Sequence, residues 1–394
     1  MIESLTGIQA LLLLPAVVGS IYSVLTLLAV YHFVRREPTA QAGPGPTPLA
    51  ASGSWPPVSI LKPVHGLEKD LEHNLRSACT LDYPGYQVVF SVQRLDDPAL
   101  PLLRKLEREF GGERVTVAVT DNEPVINGKV QNLVGALKVA RHDILLISDS
   151  DVCLEPGYLK TIIEPFDDPQ VGSVCTLYRG RSAQRWFEKL ELLSYNSDFV
   201  INVIFAKVTG ASDFCLGCSV AMRREALMAA GGLEPLGEYL VEDFELGRRI
   251  ARAGYTTELV PYFVDTTIDL ERPSQWWNHQ VYWDQNTRAA RPKGFAATIL
   301  IRAVPFALAF ALARGFDPLG LQVLAATLAI RVVTAAGQFV RIGDREGLRS
   351  LHWLPVRDLA GVASWLVAIC KRSFVWRDIR FGLTRDGRIV PRQA

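Results

Sequence analysis

Two aspartates that lie two residues apart, Asp149 and Asp151, directly follow the short apolar run of residues 144–148. An aliphatic run of this length predicts a buried β-strand, and ligands of open α/β sheets bind just beyond the carboxyl ends of such strands. Two carboxylates at that position can hold one hard cation such as Mg²⁺, which proteins often bind together with substrate phosphates. The spacing therefore predicts a metal site, although an Asp-x-Asp alone is a common pattern.

A second acidic pair, Asp96 and Asp97, follows a predicted strand over residues 86–93. Pro98 cannot continue a central strand but suits the first turn of a helix, so this pair also lies at the carboxyl end of its strand. In a parallel sheet, that end lies on the same edge as the strand end that carries Asp149. The sequence therefore predicts that two carboxylate sites converge at one edge of a sheet.

A third acidic pair, Glu242 and Asp243, lies at the start of a predicted helix in which Leu240, Phe244 and Ile250 share one apolar face. Acidic side chains are favourable at a helix N-terminus for electrostatic reasons alone. From the pattern, this pair is equally a helix-terminal feature or part of a functional site.

The elements that must position these residues alternate between strands and helices from Pro57 to about Gly294. Strands are predicted over residues 57–64, 86–93, 114–120, 144–148 and 171–177, and helices over residues 67–79, 129–140 and 184–208. This alternation predicts an α/β fold with a largely parallel, doubly wound sheet that helices cover.

Motifs and composition argue against several classes of protein. No Gly-x-Gly-x-x-Gly opens the first predicted helix and no P-loop motif is present, which disfavours a dinucleotide cofactor and the P-loop hydrolases. A phosphatase that forms an aspartyl phosphate needs its motif after the first strand, whereas several predicted strands precede Asp149. The net charge of +1 gives no overall field that would favour nucleic acid. The six cysteines complete no zinc set, which predicts reduced thiols.

An N-terminal segment over residues 8–34 contains no Asp, Glu, Lys or Arg and is long enough to cross a bilayer. Arg35 and Arg36 follow it, and because positive charge favours the cytoplasmic side, the rest of the chain is predicted to begin in the cytoplasm. Residues 37–57 are rich in Pro, Gly, Ala and Ser, which predicts a linker. The α/β domain then spans residues 58–294.

The carboxyl-terminal region, residues 295–372, contains three further apolar runs, over residues 296–313, 319–340 and 359–370. The last run is short for a bilayer crossing, so it is predicted to be interfacial or re-entrant. That prediction agrees with a cytoplasmic position for both the basic loop before this run and the basic tail over residues 373–394.

Trp276, Trp277, Tyr282 and Trp283 lie together directly before this apolar region. An aromatic belt at the bilayer surface explains them without any chemistry. His279 lies in the same stretch and can face phosphates. The pattern therefore leaves open whether the stretch is a membrane anchor or part of a ligand site.

Six segments follow one another after the N-terminal membrane segment: SILKPVHGLEKDLEHNL, LDYPGYQVVFSVQRLDDPA, SDSD, GCSVAMRREAL, EYLVEDFELG and HQVYW. In this order they resemble the ceramide glucosyltransferase family of membrane-bound, inverting nucleotide-sugar transferases, including bacterial relatives that glycosylate hopanoid lipids. The similarity is strong over about residues 55–300. It implies a GT-A-like fold, in which the doubly wound sheet is mixed, and a UDP-sugar as donor.

The resemblance also implies which residues bind the donor. Asp149 falls at the position that contacts the nucleotide-sugar and, together with Asp151, holds a divalent cation, Mg²⁺ or Mn²⁺. The other positions implied to bind the donor are Asp97 with its neighbour Asp96, Lys62 and Lys129.

Asp243 falls at the family position of the general base. The acceptor or diphosphate site is implied to contain Glu242, His279, Tyr282 and Trp283. The last motif of the family is a Gln or Arg, two variable residues, then Arg-Trp. This chain keeps Trp283 but has His279 and Tyr282 at the other two positions, so its contacts with the acceptor differ from the family pattern.

These inferences together predict an integral membrane glycosyltransferase whose catalytic domain lies at the cytoplasmic face, in the inner membrane if the protein is bacterial. It would move one hexose, glucose or N-acetylglucosamine, from a UDP-sugar to a hydroxyl of a membrane lipid, ceramide or a hopanoid. The alternative enzyme is a polysaccharide or polyprenyl-phosphate sugar synthase, which shares the Asp motifs. A membrane-bound sugar sensor or scaffold is the non-enzyme alternative, but it would tolerate the loss of carboxylates that this chain keeps.

Overall fold

The structure is a computed structural model that describes residues 5–35, 55–121, 125–211, 214–376 and 379–391. Most of the predicted linker therefore lies outside the described residues. The chain divides into two compact units. The helical unit comprises residues 1–35, 180–211 and 270–374, and the sheet unit comprises residues 36–179, 212–269 and 375–394.

The strands are short and rich in aliphatic residues. They are β1 (Val58–Pro63), β2 (Tyr86–Val92), β3 (Val115–Val119), β4 (Ile144–Ser148), β5 (Val152–Cys153), β6 (Val171–Arg181), β7 (Ser219–Arg223), β8 (Thr256–Thr267), β9 (Ser373–Trp376), β10 (Ile379–Leu383) and β11 (Ile389–Pro391). β1, β2 and β4 are buried along their whole length, as expected for strands that are covered on both faces.

The helices connect these strands or form the apolar regions near both ends of the chain. They are α1 (Gly7–Val34), α2 (Leu71–Cys79), α3 (Leu100–Phe110), α4 (Gly128–Val139), α5 (Tyr158–Ile163), α6 (Trp186–Ser194), α7 (Val200–Val208), α8 (Arg224–Ala229), α9 (Glu242–Arg252), α10 (Pro273–Ala290), α11 (Pro292–Ala297), α12 (Ala303–Ala313), α13 (Pro318–Ile342), α14 (Arg345–Arg349) and α15 (Leu354–Cys370).

In the described residues, eight strands form one mixed sheet in the order β3-β2-β1-β4-β7-β6-β8-β5. β3, β2, β1 and β4 are parallel, whereas β7 pairs antiparallel with both β4 and β6, and β5 pairs antiparallel with β8. The prediction of a mixed α/β sheet is confirmed, but the expectation of a largely parallel sheet holds only for the first four strands. Beyond β4, the next strand in the sheet is β7, which runs antiparallel to β4 and is reached only after β5, β6 and the helices between them.

Several predicted boundaries move for local reasons. The helix predicted over residues 67–79 begins at Leu71, because Gly66 and Asp70 adopt left-handed backbone with φ values of 66° and 59°. A π-helical turn over Tyr195–Phe199 divides the helix predicted over residues 184–208 into α6 and α7. β6 continues to Arg181, beyond its predicted end.

Within the described residues, three helices are long and apolar enough to cross a membrane, namely Gly7–Val34, Pro318–Ile342 and Leu351–Cys370. The last has 20 residues, so the length argument against its crossing is wrong. This helix begins before the predicted apolar run and includes Arg357 and Asp358. Their side chains are hydrogen-bonded to each other at 3.1 Å, which allows two charged residues to lie in an otherwise apolar helix. The run predicted over residues 296–313 is broken, because Pro292–Ile301 and Ala303–Ala313 meet at a bend of 50°.

The predicted basic tail over residues 373–394 contains regular structure. β9, β10 and β11 form a second sheet in the order β11-β10-β9. β10 and β11 are an antiparallel hairpin in which Leu383 pairs with Ile389. A run of basic residues does not by itself predict disorder here, because Phe381, Leu383 and Ile389 alternate with the charged residues and are buried.

Candidate active site

The carboxylates of Asp149 and Asp151 lie close to the thiol of Cys218, with one ligand atom from each residue within 4.8 Å of the others. Asp149 follows β4, and Cys218 precedes β7, the antiparallel neighbour of β4. The backbone N–H of Asp149 donates to the carbonyl of Cys218 at 3.1 Å. Two carboxylates and a thiol fit a divalent cation, since carboxylates suit Mg²⁺ and Mn²⁺ and a thiol adds preference for softer ions.

Lys129 connects this group to the third acidic pair. Its Nζ lies 2.7 Å from Oδ1 of Asp149 and 3.2 Å from Oε1 of Glu242, and it donates to the carbonyl of Gly217 at 3.2 Å. Burial lowers the pKa of Lys129, but the charges of Asp149 and Glu242 outweigh burial and hold the pKa well above its usual value. Lys129 is therefore a fixed positive charge between two acidic groups.

The environment of Asp149 disfavours its charged form. Removal from water raises the pKa of Asp149 to about 6, and Asp151 acts in the same direction, while Lys129 opposes both. The side chain is nevertheless 30% exposed. An additional cation at this place would favour the ionised form, so the charge balance of the group suits a cationic ligand.

Asp243 lies in the first turn of α9, and two backbone N–H groups hold its carboxylate. Gly217 donates to Oδ2 at 2.6 Å, and Phe244 donates to Oδ1 at 2.7 Å. Burial raises the pKa of Asp243 to about 7, and the neighbouring charge of Glu242 adds to this, against the effects of Lys129 and the two N–H donors. A carboxylate with a pKa near the working pH is suited to general base catalysis.

Gly217 links the base to the lysine, because its N–H binds Asp243 and its carbonyl accepts from Lys129. A Cβ at this position would lie 2.8 Å from Oδ2 of Asp243, so only glycine permits this approach without a shift. The structure thus brings Asp149, Asp151, Cys218 and the lysine and base into one connected network.

Lys62 is fully buried and its ammonium points at the backbone after β4. It donates to Oγ of Ser148 at 3.2 Å and to the carbonyls of Asp149 and Val152 at 2.6 and 3.2 Å. Burial lowers the pKa of Lys62 to about 8, although the charges of Asp151 and Asp149 oppose the shift. These three bonds match the three donors of an ammonium, so Lys62 positions the Asp149 turn from beneath.

Asp151 is oriented by the edge of the sheet. Its Oδ2 accepts a hydrogen bond of 2.9 Å from the hydroxyl of Thr266, at the end of β8. Ser150, between the two aspartates, donates to Glu68 at 2.6 Å. The two residues that follow Asp149 are therefore fixed by the side chains of Glu68 and Thr266, neither of which the sequence pattern indicates.

Asp96 and Asp97 have different environments. Asp97 is only 7% exposed and its carboxylate accepts from the N–H groups of Gly66 and Ala99, at 3.0 and 2.9 Å to Oδ1. Asp96 is exposed and pairs with Arg94 at 2.6 Å. An open recess of about 480 Å³ lies beside them, lined by Gln93, Arg94, Leu95, Asp96, Asp121 and Gln131. Asp97 thus holds the loop after β1, while Asp96 faces a space that a ligand can enter.

The predicted acceptor residues His279, Tyr282 and Trp283 lie on α10 in the helical unit. The indole N–H of Trp283 donates to Nε2 of His279 at 2.8 Å, and Nδ1 of His279 lies 2.5 Å from Oε1 of Glu191. An indole only donates, so Nε2 is the acceptor and Nδ1 carries the proton toward Glu191. The ring of Tyr282 stacks on the imidazole at an interplanar angle of 13°. Both imidazole nitrogens are therefore engaged within the protein.

Sequence reasoning missed Cys218 and Glu191. In the sequence, Cys218 forms a C-x-x-C with Cys215 that no second pair completes into a zinc set, and the antiparallel register that sets Ser219 opposite Ser148 brings it to the aspartates. Glu191 is 2% exposed, and a buried acid among apolar neighbours was the available signal, because a buried carboxylate requires a partner.

A family model for glycosyl transferase family 21 matches residues 11–389. The chain belongs to this family. It is 26% identical over 255 residues to "Ceramide glucosyltransferase 1" of Caenorhabditis elegans, a match that covers 64% of this chain and 52% of that protein. It is 24% identical over 351 residues to an "N-acetylglucosaminyltransferase" of Mesorhizobium japonicum, which covers 83% and 74% of the two chains. The resemblance to the ceramide glucosyltransferases is therefore confirmed, although the chain spans about half the length of the first relative.

A solved structure shares the fold. A mannosyltransferase from Pyrobaculum calidifontis, in complex with GDP-Man and Mn²⁺, superimposes with a TM-score of 0.53 at 19% sequence identity. The likeness covers 90% of this chain and 98% of that chain. At this identity it shows the fold alone, and it confirms the predicted GT-A-like glycosyltransferase fold.

Proposed function

We propose that this glycosyltransferase moves one hexose, glucose or N-acetylglucosamine, from a UDP-sugar to a hydroxyl of a membrane lipid, with inversion at the sugar carbon. Ceramide and hopanoids are the proposed acceptor classes. The observation that carries the proposal is the connected network in which Lys129 and Gly217 join the Asp149 group to Asp243. The network places the Asp149 group and Lys129, which can neutralise the charge of a diphosphate, close to Asp243, which can act as the base. Inverting transfer requires both functions.

The donor side of the proposal uses Asp149 and Asp151 as ligands of a Mg²⁺ or Mn²⁺ ion, with Cys218 as a third ligand. When bound, a divalent cation stabilises the negative charge that develops on the leaving diphosphate. Lys129 adds a fixed positive charge beside the same phosphates. The open recess that Asp96 lines is the proposed place of the nucleotide, and Asp97 shapes its edge through the loop at Gly66.

The proposed chemical step uses Asp243 as the base. The acceptor oxygen forms a bond to the anomeric carbon while the bond between that carbon and the diphosphate breaks. The hydroxyl proton passes to the carboxylate of Asp243, and the electron pair of the broken bond leaves with the diphosphate. The two N–H donors at 2.6 and 2.7 Å fix the carboxylate before the acceptor arrives, and the proposal requires that the acceptor hydroxyl then come within hydrogen-bond reach of this carboxylate.

The proposed arrangement in the membrane follows the apolar helices. We assign residues 8–34 and 295–372 to the bilayer, and residues 58–294 to a catalytic domain at the cytoplasmic face. Within this scheme, His279, Tyr282 and Trp283 belong to the acceptor side. Because both imidazole nitrogens are already engaged by Glu191 and Trp283, we propose that His279 shapes this side and does not carry charge to the diphosphate.

The test is an assay of the membrane fraction from cells that express the chain, with UDP-glucose or UDP-N-acetylglucosamine, each labelled, and ceramide, a hopanoid or polyprenyl phosphate. The proposal expects a labelled glycolipid from one sugar with ceramide or the hopanoid, and none from a matched Asp243→Asn preparation. Label in a polymer or on polyprenyl phosphate alone would instead support the polysaccharide or polyprenyl-phosphate sugar synthase.

A further inference from the structure

We infer that the hairpin β10–β11 near the carboxyl end is a positioning element of the active site, which acts through the segment that precedes Asp243. This inference rests on the proposed function. The backbone N–H of Leu240 donates to the carbonyl of Gly387 at 3.0 Å. Tyr239 and Arg388 form an antiparallel β-bridge beside this bond. The hairpin thus pairs with residues 239–240, directly before α9.

Side chains reinforce this backbone pairing. Nη1 of Arg388 lies 2.7 Å from Oε2 of Glu238, and its guanidinium carbon lies 5.5 Å from the centre of the Tyr239 ring. The side chains of Arg388 and Glu238 are about half exposed, at 48% and 53%. An exposed ion pair contributes little to global stability, so reversing one of its charges should leave the protein folded, while the two like charges that result repel the hairpin from the segment.

The opposite side of the same segment contacts the helix that carries Lys129. The N–H of Asn127 donates to the carbonyl of Gly237 at 3.1 Å, and its Nδ2 donates to the carbonyl of Tyr239 at 3.3 Å. Oδ1 of Asn127 meanwhile accepts from the N–H of Lys129 at 3.0 Å and caps α4. Residues 237–240 are therefore held between the hairpin and the start of α4.

This placement matters because α9 begins two residues after Leu240. In the described part of the chain, Val241 at the N-cap of α9 gives the helix no side-chain cap. The register of Asp243 therefore depends on the segment before it and on the two N–H groups that bind its carboxylate. In this proposal the hairpin contacts no reacting atom and acts by positioning the carboxylate of Asp243.

The test uses the full chain with four variants: Arg388→Glu, Glu238→Arg, the double charge swap, and Arg385→Glu as the matched control. Arg385 lies at the exposed turn of the same hairpin. Its substitution by Glu changes the net charge by the same amount as Arg388→Glu but leaves the ion pair between Arg388 and Glu238 intact. Each single variant should lower kcat by roughly tenfold to a hundredfold, the range expected when a catalytic group is displaced by about 1 Å. KM for the UDP-sugar should stay within about twofold.

The charge swap should restore kcat to within a few-fold of the unaltered chain, and Arg385→Glu should leave it unchanged. Three results would overturn the inference: single variants with unaltered kcat, a swap as slow as the single variants, or equal losses in kcat and in donor affinity.

A readout that needs no turnover separates this inference from the proposed function. In Arg388→Glu, amide hydrogen exchange of residues 239–244 should accelerate relative to Arg385→Glu. If the unaltered chain transfers no sugar to any lipid, the proposed function fails. Accelerated exchange would then still support the hairpin as the element that holds this segment, and unchanged exchange would refute it.

Discussion

Replacing Asp243 with Asn is predicted to stop sugar transfer while the donor still binds. An amide cannot take the proton of the acceptor hydroxyl. General base catalysis typically contributes about 10²–10⁴-fold, so kcat should fall by that factor, which corresponds to about 3–5 kcal/mol in the activation barrier. Donor affinity should change little, because the hydrogen bonds of this carboxylate go to the N–H groups of Gly217 and Phe244 and not to the Asp149 group.

The same substitution has a structural cost that the assay must separate from chemistry. The carboxylate accepts N–H groups on two oxygens, at 2.6 and 2.7 Å, whereas an amide offers one oxygen. One N–H therefore loses its acceptor, at a cost of about 1–3 kcal/mol in unfolding free energy. Glu245→Gln is the matched control: it lies on the same helix, loses its ion pairs with Arg248 and Arg249, and should lower stability while keeping kcat.

The assay uses purified protein in lipid nanodiscs, with initial rates at saturating UDP-sugar, donor affinity by calorimetry, and thermal unfolding of both variants. Slow transfer is expected only in Asp243→Asn, and a comparable loss of melting temperature is expected in both variants. A kcat for Asp243→Asn within about tenfold of the unaltered chain would refute the base assignment. Loss of donor binding in the same variant would refute the separation of base and donor site.

Four further predictions follow from the same contacts. Since the pKa of Asp243 is raised to about 7 and its ionised form is the base, kcat/KM should rise with pH and level off above about 7; a flat profile between about pH 5.5 and 8.5 would contradict this. Lys129→Met should raise KM for the UDP-sugar by about tenfold or more, because a charge-assisted hydrogen bond is worth about 1.5–3 kcal/mol, and steady-state kinetics would show it. Cys218→Ser should lower the ratio of activity with Mn²⁺ to activity with Mg²⁺, because a hydroxyl is a harder ligand than a thiol; an unchanged ratio argues against a metal contact. Lys62→Met removes three hydrogen bonds, so scanning calorimetry should show a melting temperature lower by several degrees; donor affinity should fall only because the turn at Asp149 is displaced.

A site residue could be predicted from the sequence only where the signal for it lies in the residues next to it in the chain. The strand before Asp149 and the acids after it could be predicted, because an apolar run followed by polar residues is a local pattern. Cys218 could not, because it reaches Asp149 only through the antiparallel pairing of β4 with β7. The burial of Lys62 was hidden for the same reason, since its acceptors lie on a neighbouring strand and turn.

The fold was predictable where periodicity is clean and less so where charges interrupt it. The parallel half of the sheet follows from alternating strands and helices. The last membrane-length helix appeared too short, because Arg357 and Asp358 interrupt its apolar run. The structure pairs these two residues with each other, and Arg331 of α13 adds a bond of 2.9 Å to Asp358. Such compensation between helices is a tertiary effect that no single-helix pattern contains.

The anomeric configuration of the glycolipid product tests the central claim most directly. The purified chain in nanodiscs would receive the UDP-sugar and the lipid that give product in the membrane assay, and proton NMR would measure the coupling constant between the anomeric proton and the proton on the neighbouring ring carbon. Direct attack by a lipid hydroxyl, with Asp243 as base, predicts a product of opposite configuration to the donor. A product that retains the donor's configuration would contradict the account, and so would sugar transfer that proceeds unchanged in Asp243→Asn.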